Sequence, residues 1–575
     1  MILILIFINV LSISSALANQ SAISVDVQAN RSTNKLVITG TISTGEGKDI
    51  VIKIYEPSGK LLSFDQILSG TGGAYQYDTS LNGYGQYKIL VHGGPGIDKL
   101  VTYNYESSSG GSSNDESGDS SGQNTETTTE TKTAEKIIQD ISKELEKLAG
   151  KVDSARNLEV ENMIRKAIKE AGTVVLDNTQ VKVQGQKAEI EVKENVLKGA
   201  IENVVAVWKE LEQKTKEIGI EVKVEKIVNI EIENIEGLKE IAAKLPANLL
   251  TLAKSNGIDR IAVNTGLATV AITPDAFKDD SNKAVQYVEL SVANVDKTTL
   301  PENVLDKISN KPVYDFNAFV DGNKVSSFNG KKAVRITIDY SLIKGEVPDK
   351  IVVYHIDDNE QFKAIKNCKY NVTTGKVTFT TNHFSKYAAM QSNVTFEDIA
   401  SVTWAKDYIE ALAGREIISG TGNNKFEPEA KVTREQFIKM LVEAFGFIDD
   451  TATATFDDVT PNAWYYKYVA SAYKAGIVDG IGGNKFGVGS SITRQDMATM
   501  AYRALKAAGA KINTINRELT FADKSQISSY ATEAIAVMQK ENIISGVGDN
   551  RFAPQENSTR AQAAKILFGL YKLID

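Results

Sequence analysis

Residues 394–575 are built on an internal repeat, and a repeat constrains a fold strongly because each copy has to meet its neighbours in the same way. Each copy opens with Phe-x-Asp, as "FED" at 396, "FDD" at 456 and "FAD" at 521. An amphipathic helix pattern follows, then a Gly-rich turn, then a second helix that starts Thr-Arg. The internal spacing is rigid: Ile409, Val469 and Ile535 stand 11 residues before Gly420, Gly480 and Gly546, and each glycine stands 13 before Thr433, Thr493 and Thr559. The whole segment reads as helical.

The start of the second helix carries an oddity. In "NSTRAQAAKI" Thr559 and Gln562 form a capping box, with the hydroxyl accepting from the first free N–H groups, so Arg560 occupies the first helical position. The peptide dipoles make that end positive, and a cation there loses a few tenths to about 1 kcal/mol. "VTREQFIKML" and "ITRQDMATMA" put Arg434 and Arg494 in the same setting. An arginine beside free backbone N–H groups suits an anion, held by charge-assisted hydrogen bonds, so each copy is a candidate anion site. The other reading is that each arginine turns back to a nearby carboxylate.

At 575 residues the chain is too long for one core, and three or four domains are expected. A net charge of -8 argues against nucleic acid as the main partner, which would want a basic face. "MILILIFINVLSISSALANQ" ends its apolar run in Ala16-Leu17-Ala18, so residues 1–18 are expected to be a signal peptide, although no Lys or Arg precedes the run. A retained anchor is the alternative, but the run is short for a bilayer span. No later segment offers some 18 unbroken apolar residues, so no membrane is expected after cleavage. The single cysteine, Cys368, excludes an intramolecular disulfide framework and reads as a buried or half-buried strand residue.

Residues 19–106 alternate in short runs such as "KLVITGTI", "DIVIKIYE" and "GQYKILVHG", the pattern of an Ig-like antiparallel β-sandwich. Tyr75, Tyr77, Tyr84 and Tyr87 read as strand residues rather than a sugar platform. Residues 107–132 form an acidic Ser/Gly/Thr-rich linker that can carry glycans. From 133 to 283 helical patterns ("VLKGAIENVVAVWKELEQKTKEI") mix with strands ("RIAVNTGLATVAIT", turning at Asn264-Thr265-Gly266), predicting an α+β domain. From 284 to 393 strands dominate, predicting a second, β-sandwich-like domain.

Phe-x-Asp, then Trp-Ala or Trp-Tyr, then "EIISGTGNNKFEPEAKVTREQ", three times in tandem, resembles the S-layer homology domain family over about a third of the chain. The resemblance divides the segment into repeats at 394–450, 451–515 and 516–575. It implies an all-α, pseudo-threefold unit that binds secondary cell-wall polymer, often through a pyruvate ketal on an amino sugar. The family's motif arginines correspond to Arg434, Arg494 and Arg560, here in "TREQ", "TRQD" and "TRAQ", none with the family's glutamate in fourth place. Gln436, Asp496 and Gln562 stand there instead. Gly420, Gly480 and Gly546 match the family's glycine, as a close approach for sugar or as a plain turn. Trp404 and Trp464 match its tryptophan, for stacking or for core packing, and the third repeat offers Tyr530 one residue late. Asp398, Asp458 and Asp523 would orient the polymer or hold the arginine, the second, structural role being preferred, and Phe426, Phe486 and Phe552 would be core. Several modest sites on one polymer gain avidity through effective concentration. The implied setting is the peptidoglycan-associated wall or S-layer of a Gram-positive bacterium, with self-association into a layer as a further expectation.

Ahead of the repeats the residues point to no chemistry of their own. His92, His355 and His383 lie in separate strand contexts, without the close spacing of a zinc site. No Gly-x-Ser-x-Gly elbow or Walker loop occurs. A glycosidase needs two carboxylates, and among 73 acids none stands out. The one tryptophan before residue 394, Trp208, sits in a helix pattern and reads as core. "HIDDNEQF" reads as a hairpin turn at Asp358-Asn359 rather than a calcium loop. These features lead to the expectation of a non-enzymatic surface or S-layer protein, with no catalytic residue, metal ligand or cofactor, structural calcium being left open. An anchored adhesin or carbohydrate-binding protein is the second reading and an anchored polysaccharide hydrolase the third.

Overall fold

In a computed structural model the chain divides into two compact units, residues 1–127 and 128–575. The structure describes residues 23–574 except 31–34, 43–48, 56–60, 71–72, 82–84, 93–97, 106–132, 149–153, 177–180, 233–236, 278–284, 310, 331, 511 and 513–517. The expected signal peptide, the linker and Tyr84 therefore lie outside the described residues.

Among the described residues the first unit is built of strands. Asp26–Asn30, Lys35–Thr41 and Ala74–Ser80 form one antiparallel sheet, and Leu61–Leu68, Asp49–Tyr55, Gly85–His92 and Asp98–Tyr105 form another. Alternation sends Leu36 and Ile38 of the first sheet, and Ile50, Ile52, Ile54, Tyr87, Ile89 and Val91 of the second, into one apolar cluster. Tyr75 is buried in it, and its hydroxyl donates to the Ser24 carbonyl at 2.5 Å.

In the second unit the helices are α1 (Ala134–Leu148), α2 (Ser154–Gly172), α3 (Glu194–Glu217), α4 (Ala247–Ser255), α5 (Glu302–Ile308), α6 (Thr403–Gly414), α7 (Arg434–Phe445), α8 (Tyr466–Lys474), α9 (Arg494–Ala507), α10 (Thr532–Lys540) and α11 (Arg560–Leu573). α3 buries Leu197, Ala200, Ile201, Val204, Val207 and Leu211, the 3–4 spacing that makes one face of a helix apolar. Trp208 packs partly buried beside this face, with the Lys226 ammonium 5.5 Å from its ring centre.

The expected boundary at 283/284 is not observed. One sheet runs Phe362–Ala364, Ile351–Ile356, Lys386–Gln391, Val313–Val320, Tyr287–Asn294, Glu240–Pro246, Lys187–Glu191, Val181–Gln184, with Asn323–Val325 folded back on Val313–Val320. The other runs Lys369–Asn371, Lys376–Thr381, Val334–Asp339, Ala268–Ile272, Arg260–Asn264, Ile227–Ile232, Thr173–Leu176. Both sheets draw strands from either side of the supposed boundary, and one apolar core extends from Ile137 to Ala389. Alternation marks each strand but carries no record of its partner, so a composition shift from helix to strand resembles a domain edge when it is not one.

The repeats form a closed ring. α7, α9 and α11 pack on one another, while α6 packs on α11, α8 on α7 and α10 on α9. Each repeat's first helix thus lies against the Thr-Arg helix of the repeat before it, and the first repeat lies against the third. The backbone closes the same ring: Val432 N donates to Ser558 O at 3.1 Å, Ser558 N to Ile492 O at 2.9 Å, and Ile492 N to Val432 O at 3.0 Å. Phe426, Phe486 and Phe552 are fully buried, as expected.

Candidate functional site

The Thr-Arg helix starts are capped as the motif predicts. Thr433 and Thr559 form capping boxes with Gln436 and Gln562, and Thr493 Oγ1 accepts from Asp496 N at 3.2 Å. The amide hydrogens that were expected to seat an anion are already taken. Arg434 N donates to Ser490 O at 3.0 Å, Arg494 N to Glu556 O at 2.9 Å and Arg560 N to Ala430 O at 3.0 Å, while Gln495 N and Ala561 N reach Pro554 O and Pro428 O. Each helix start is spent on the neighbouring repeat, because ring closure brings a carbonyl to it. The expectation of an anion seated on those N–H groups is therefore corrected: their hydrogens already face carbonyls of the next repeat.

The arginine side chains cross the same joints. Arg434 Nε donates to Phe486 O at 2.9 Å, Arg494 Nε to Phe552 O at 2.7 Å and Arg560 Nε to Phe426 O at 2.8 Å. Arg494 and Arg560 add bonds from Nη2 to Ser545 O at 3.2 Å and Ser419 O at 2.9 Å. Each guanidinium carbon lies 4.5–5.3 Å from the centre of the same phenyl ring. Burial lowers the proton affinity of all three groups, with nearby carboxylates opposing it. A cation set against the helix dipole is thus compensated by carbonyls and a ring from the next repeat. In Arg434 the turn-back reading also holds, since its Nη1 meets Asp496 Oδ2 at 3.4 Å.

The hydrogen bonds of Asp398, Asp458 and Asp523 go to the backbone of their own loops, and none goes to the arginine they were expected to hold. Asp398 accepts from Phe426 N and Glu427 N, Asp458 from Phe486 N, Gly487 N and Val488 N, and Asp523 from Phe552 N and Ala553 N, all at 2.7–3.0 Å. Burial works to raise these carboxyls, yet the backbone donors hold them below the usual value. Gly420, Gly480 and Gly546 serve the turn. A Cβ on Gly420 would stand 2.5 Å from Lys425 O and 2.7 Å from the Phe396 ring, and one on Gly480 or Gly546 would stand 2.6 or 2.8 Å from Lys485 O or Arg551 O. The space beside each glycine is filled by its own loop.

The aromatic positions go the other way. Trp404, Trp464 and Tyr530 are 49%, 54% and 53% exposed, which removes core packing as their explanation. Trp464 faces a groove of about 270 Å³ with Gly420, Gln436, Lys439, Met440 and Arg560 on its walls. Arg434, Gly480, Asp496, Thr499, Arg503 and Tyr530 line a second, of about 460 Å³. In both grooves the arginine comes from one repeat, the glycine turn and helix from the next, and the aromatic residue from the one after, so Tyr530 does stand in for a tryptophan. Trp404 lies in the first turn of α6, which packs on α11 as α8, the helix that follows Trp464, packs on α7. Lys439 and Lys565 were missed because their position, six after the capping threonine, reads as an ordinary solvated helix face.

Elsewhere the fold unites residues that looked separate. His355 and His383 meet with ring centres 4.6 Å apart; His355 Nε2 lies 3.0 Å from Ser385 Oγ and His383 Nδ1 3.1 Å from Tyr387 Oη. Burial lowers both histidines. His355 is on the strand Ile351–Ile356 and His383 in the connection between Lys376–Thr381 and Lys386–Gln391, a meeting invisible as sequence spacing. Asp357 accepts from Asn359 N and Gln361 N, the hairpin turn expected in "HIDDNEQF". Cys368 is buried, its sulfur taking Val353 N at 3.3 Å. No described helix is long and apolar enough to cross a membrane.

The geometry repeated three times agrees with a family match at residues 395–438, 455–498 and 520–564. The chain carries three S-layer homology domains. An amylopullulanase of Thermoanaerobacterium thermosulfurigenes is 32% identical over 62% of the chain and 18% of its own length. Exoglucanase XynX of Acetivibrio thermocellus is 37% identical over 32% of the chain and 16% of its own. S-layer protein sap of Bacillus anthracis is 28% identical over 30% and 21%. The chain spans about a fifth or less of the length of each. The amylopullulanase match covers 358 residues, about twice the S-layer homology region, and so extends into the rest of the chain. Relatives named as polysaccharide-degrading enzymes overturn the expectation that this is not an enzyme.

Proposed function

We propose that this is a cell-surface protein of the polysaccharide-degrading kind, held on the wall by its three S-layer homology domains. The anchor binds an acidic secondary wall polymer, with a pyruvyl carboxylate as the group recognised. The observation that carries the reading is the repeated groove: a buried, always-charged arginine at its base and an exposed aromatic ring at its rim, the two features that suit an anionic sugar. The aromatic face takes the sugar ring and the guanidinium takes the charge. The backbone triangle of Val432, Ile492 and Ser558 supports a pseudo-threefold unit, and the shared core of the first two sheets supports an Ig-like sandwich. Degradation of polysaccharide rests on the relatives, and the three S-layer homology domains would keep such an activity at the cell surface.

Two assays on the full chain test this. It should sediment with purified walls and stay in solution once the walls are stripped of pyruvyl groups. It should also release reducing sugar from starch, pullulan or β-glucan. Unchanged sedimentation on stripped walls would sink the anchor chemistry, and no release from any glucan would sink the enzymatic half.

A further inference from the structure

We propose that the three grooves are inequivalent: the groove on the second repeat's helix holds its own anion, Asp496, and is closed to the acidic polymer, while those on the first and third repeats accept it. This rests on the anchor reading above and concerns which copies do the work.

The difference begins at the third residue after the capping threonine. Gln436 and Gln562 reach back to the N-cap amide at 3.1 Å, which ties each side chain to its own helix start. Asp496 makes no such return bond. Its Oδ2 meets Arg434 Nη1 at 3.4 Å and its Oδ1 accepts from Tyr530 Oη at 2.7 Å. Gln495 Nε2 donates to the same phenol at 2.8 Å, and Gln495 Oε1 accepts from Ser528 N at 3.1 Å. One carboxylate thus ties the groove's arginine to its aromatic residue, occupying the place a sugar acid would need. The other cation on that wall, Arg503, pairs with Asp479 at 2.6 Å. Thr499 stands where the other copies have Lys439 and Lys565. This groove is neutral by its own residues.

The other two are cationic. Arg560 and Lys439 line the first repeat's groove, and none of the residues lining it is a carboxylate. On the third repeat, Lys565 Nζ donates to Ser545 Oγ at 2.8 Å and Arg494 Nη2 to Ser545 O at 3.2 Å, so two cations converge on one residue. Burial, and then Arg494, lower the Lys565 ammonium, which an arriving anion would reverse. Like charges in a partly dry cleft attract an anion; a cation already paired does not.

Calorimetric titration of the full chain with the methyl glycoside of a pyruvate-ketal N-acetylhexosamine tests this. Two equivalents per chain are expected, falling to one in Lys439→Ala and in Lys565→Ala, and rising to three in Asp496→Gln/Thr499→Lys. Three equivalents or one in the unaltered chain, or a double variant that folds and still takes two, would overturn the inequivalence alone. Lysine variants that leave two equivalents would do the same. No uptake by the unaltered chain would overturn the anchor reading and this inference with it.

Discussion

Trp464 of the second repeat and Asp523 of the third show two fates of a motif residue, one exposed at a groove and one spent on its own loop. The indole is more than half exposed, so Trp464→Ala removes little from the core and unfolding stability should stay within about 0.5 kcal/mol. If the ring stacks on sugar, the same change should weaken wall binding by about 1–2 kcal/mol, roughly tenfold or more, read from sedimentation isotherms. Asp523 is the reverse case. Its buried carboxylate holds Phe552 N and Ala553 N, and charge-assisted bonds of this kind contribute about 1.5–3 kcal/mol. Asp523→Asn should lower urea stability by about 2 kcal/mol and leave the exposed groove aromatics in place. The pH dependence follows from the sign. The folded carboxyl titrates below its unfolded value, so its stabilisation is fully present above about pH 4 and lost as pH falls through the lower folded value. An acid-unfolding curve for Asp523→Asn should be flatter there than that of the unaltered chain. The motif shows an aspartate at this place, but only the loop geometry reveals that its acceptors are spent on backbone.

The glycine turn is the element where sequence was most informative and its explanation most incomplete. Fixed spacing from Ile409, Val469 and Ile535 located the turn in all three copies, and the capping boxes located the next helix. What spacing could not convey was ring closure, which spends the helix-start amides on a neighbouring repeat, 56 and 62 residues ahead for Arg434 and Arg494 and 130 residues back for Arg560. The turn itself yields two predictions. Gly480 has φ +87 and its Cβ would meet Lys485 O at 2.6 Å, so Gly480→Ala combines backbone strain with a clash that backbone cannot easily relieve. A loss of about 2 kcal/mol or more in thermal or urea unfolding is expected. Directly after each buried phenylalanine the chain enters the left-handed region, at Glu427 (φ 56), Gly487 (φ 91) and Ala553 (φ 57). Only the second repeat uses glycine there. Ala553→Gly should therefore raise stability by about 0.5–1 kcal/mol, against the usual direction of such a change.

At the scale of the molecule, strands and helices were legible and their partners were not. "RIAVNTGLATVAIT" folds as the expected hairpin, yet its outer strand pairs with Val334–Asp339, across a boundary that composition suggested. Nor did any motif mark Arg415, which sits at the end of α6 and is 2% exposed. Its Nη1 donates to Asp349 O at 2.7 Å and Ala411 O at 2.8 Å, its Nη2 to Ile351 O at 2.8 Å, and its Nε to Tyr571 Oη at 3.0 Å. Tyr571 in turn donates to Cys368 O, and Lys350–Glu410, Lys366–Glu443 and Lys572–Asp349 pairs surround the joint. One guanidinium therefore binds the mixed α/β part of this unit to both the first and the last helix of the ring. Arg415→Met would leave these buried acceptors unpaired, each costing about 1–3 kcal/mol. Calorimetry on the full chain should show residues 134–574 melting as one body and Arg415→Met splitting that melting into two steps. If the variant still melted as one body at the same temperature, the joint would not depend on this arginine.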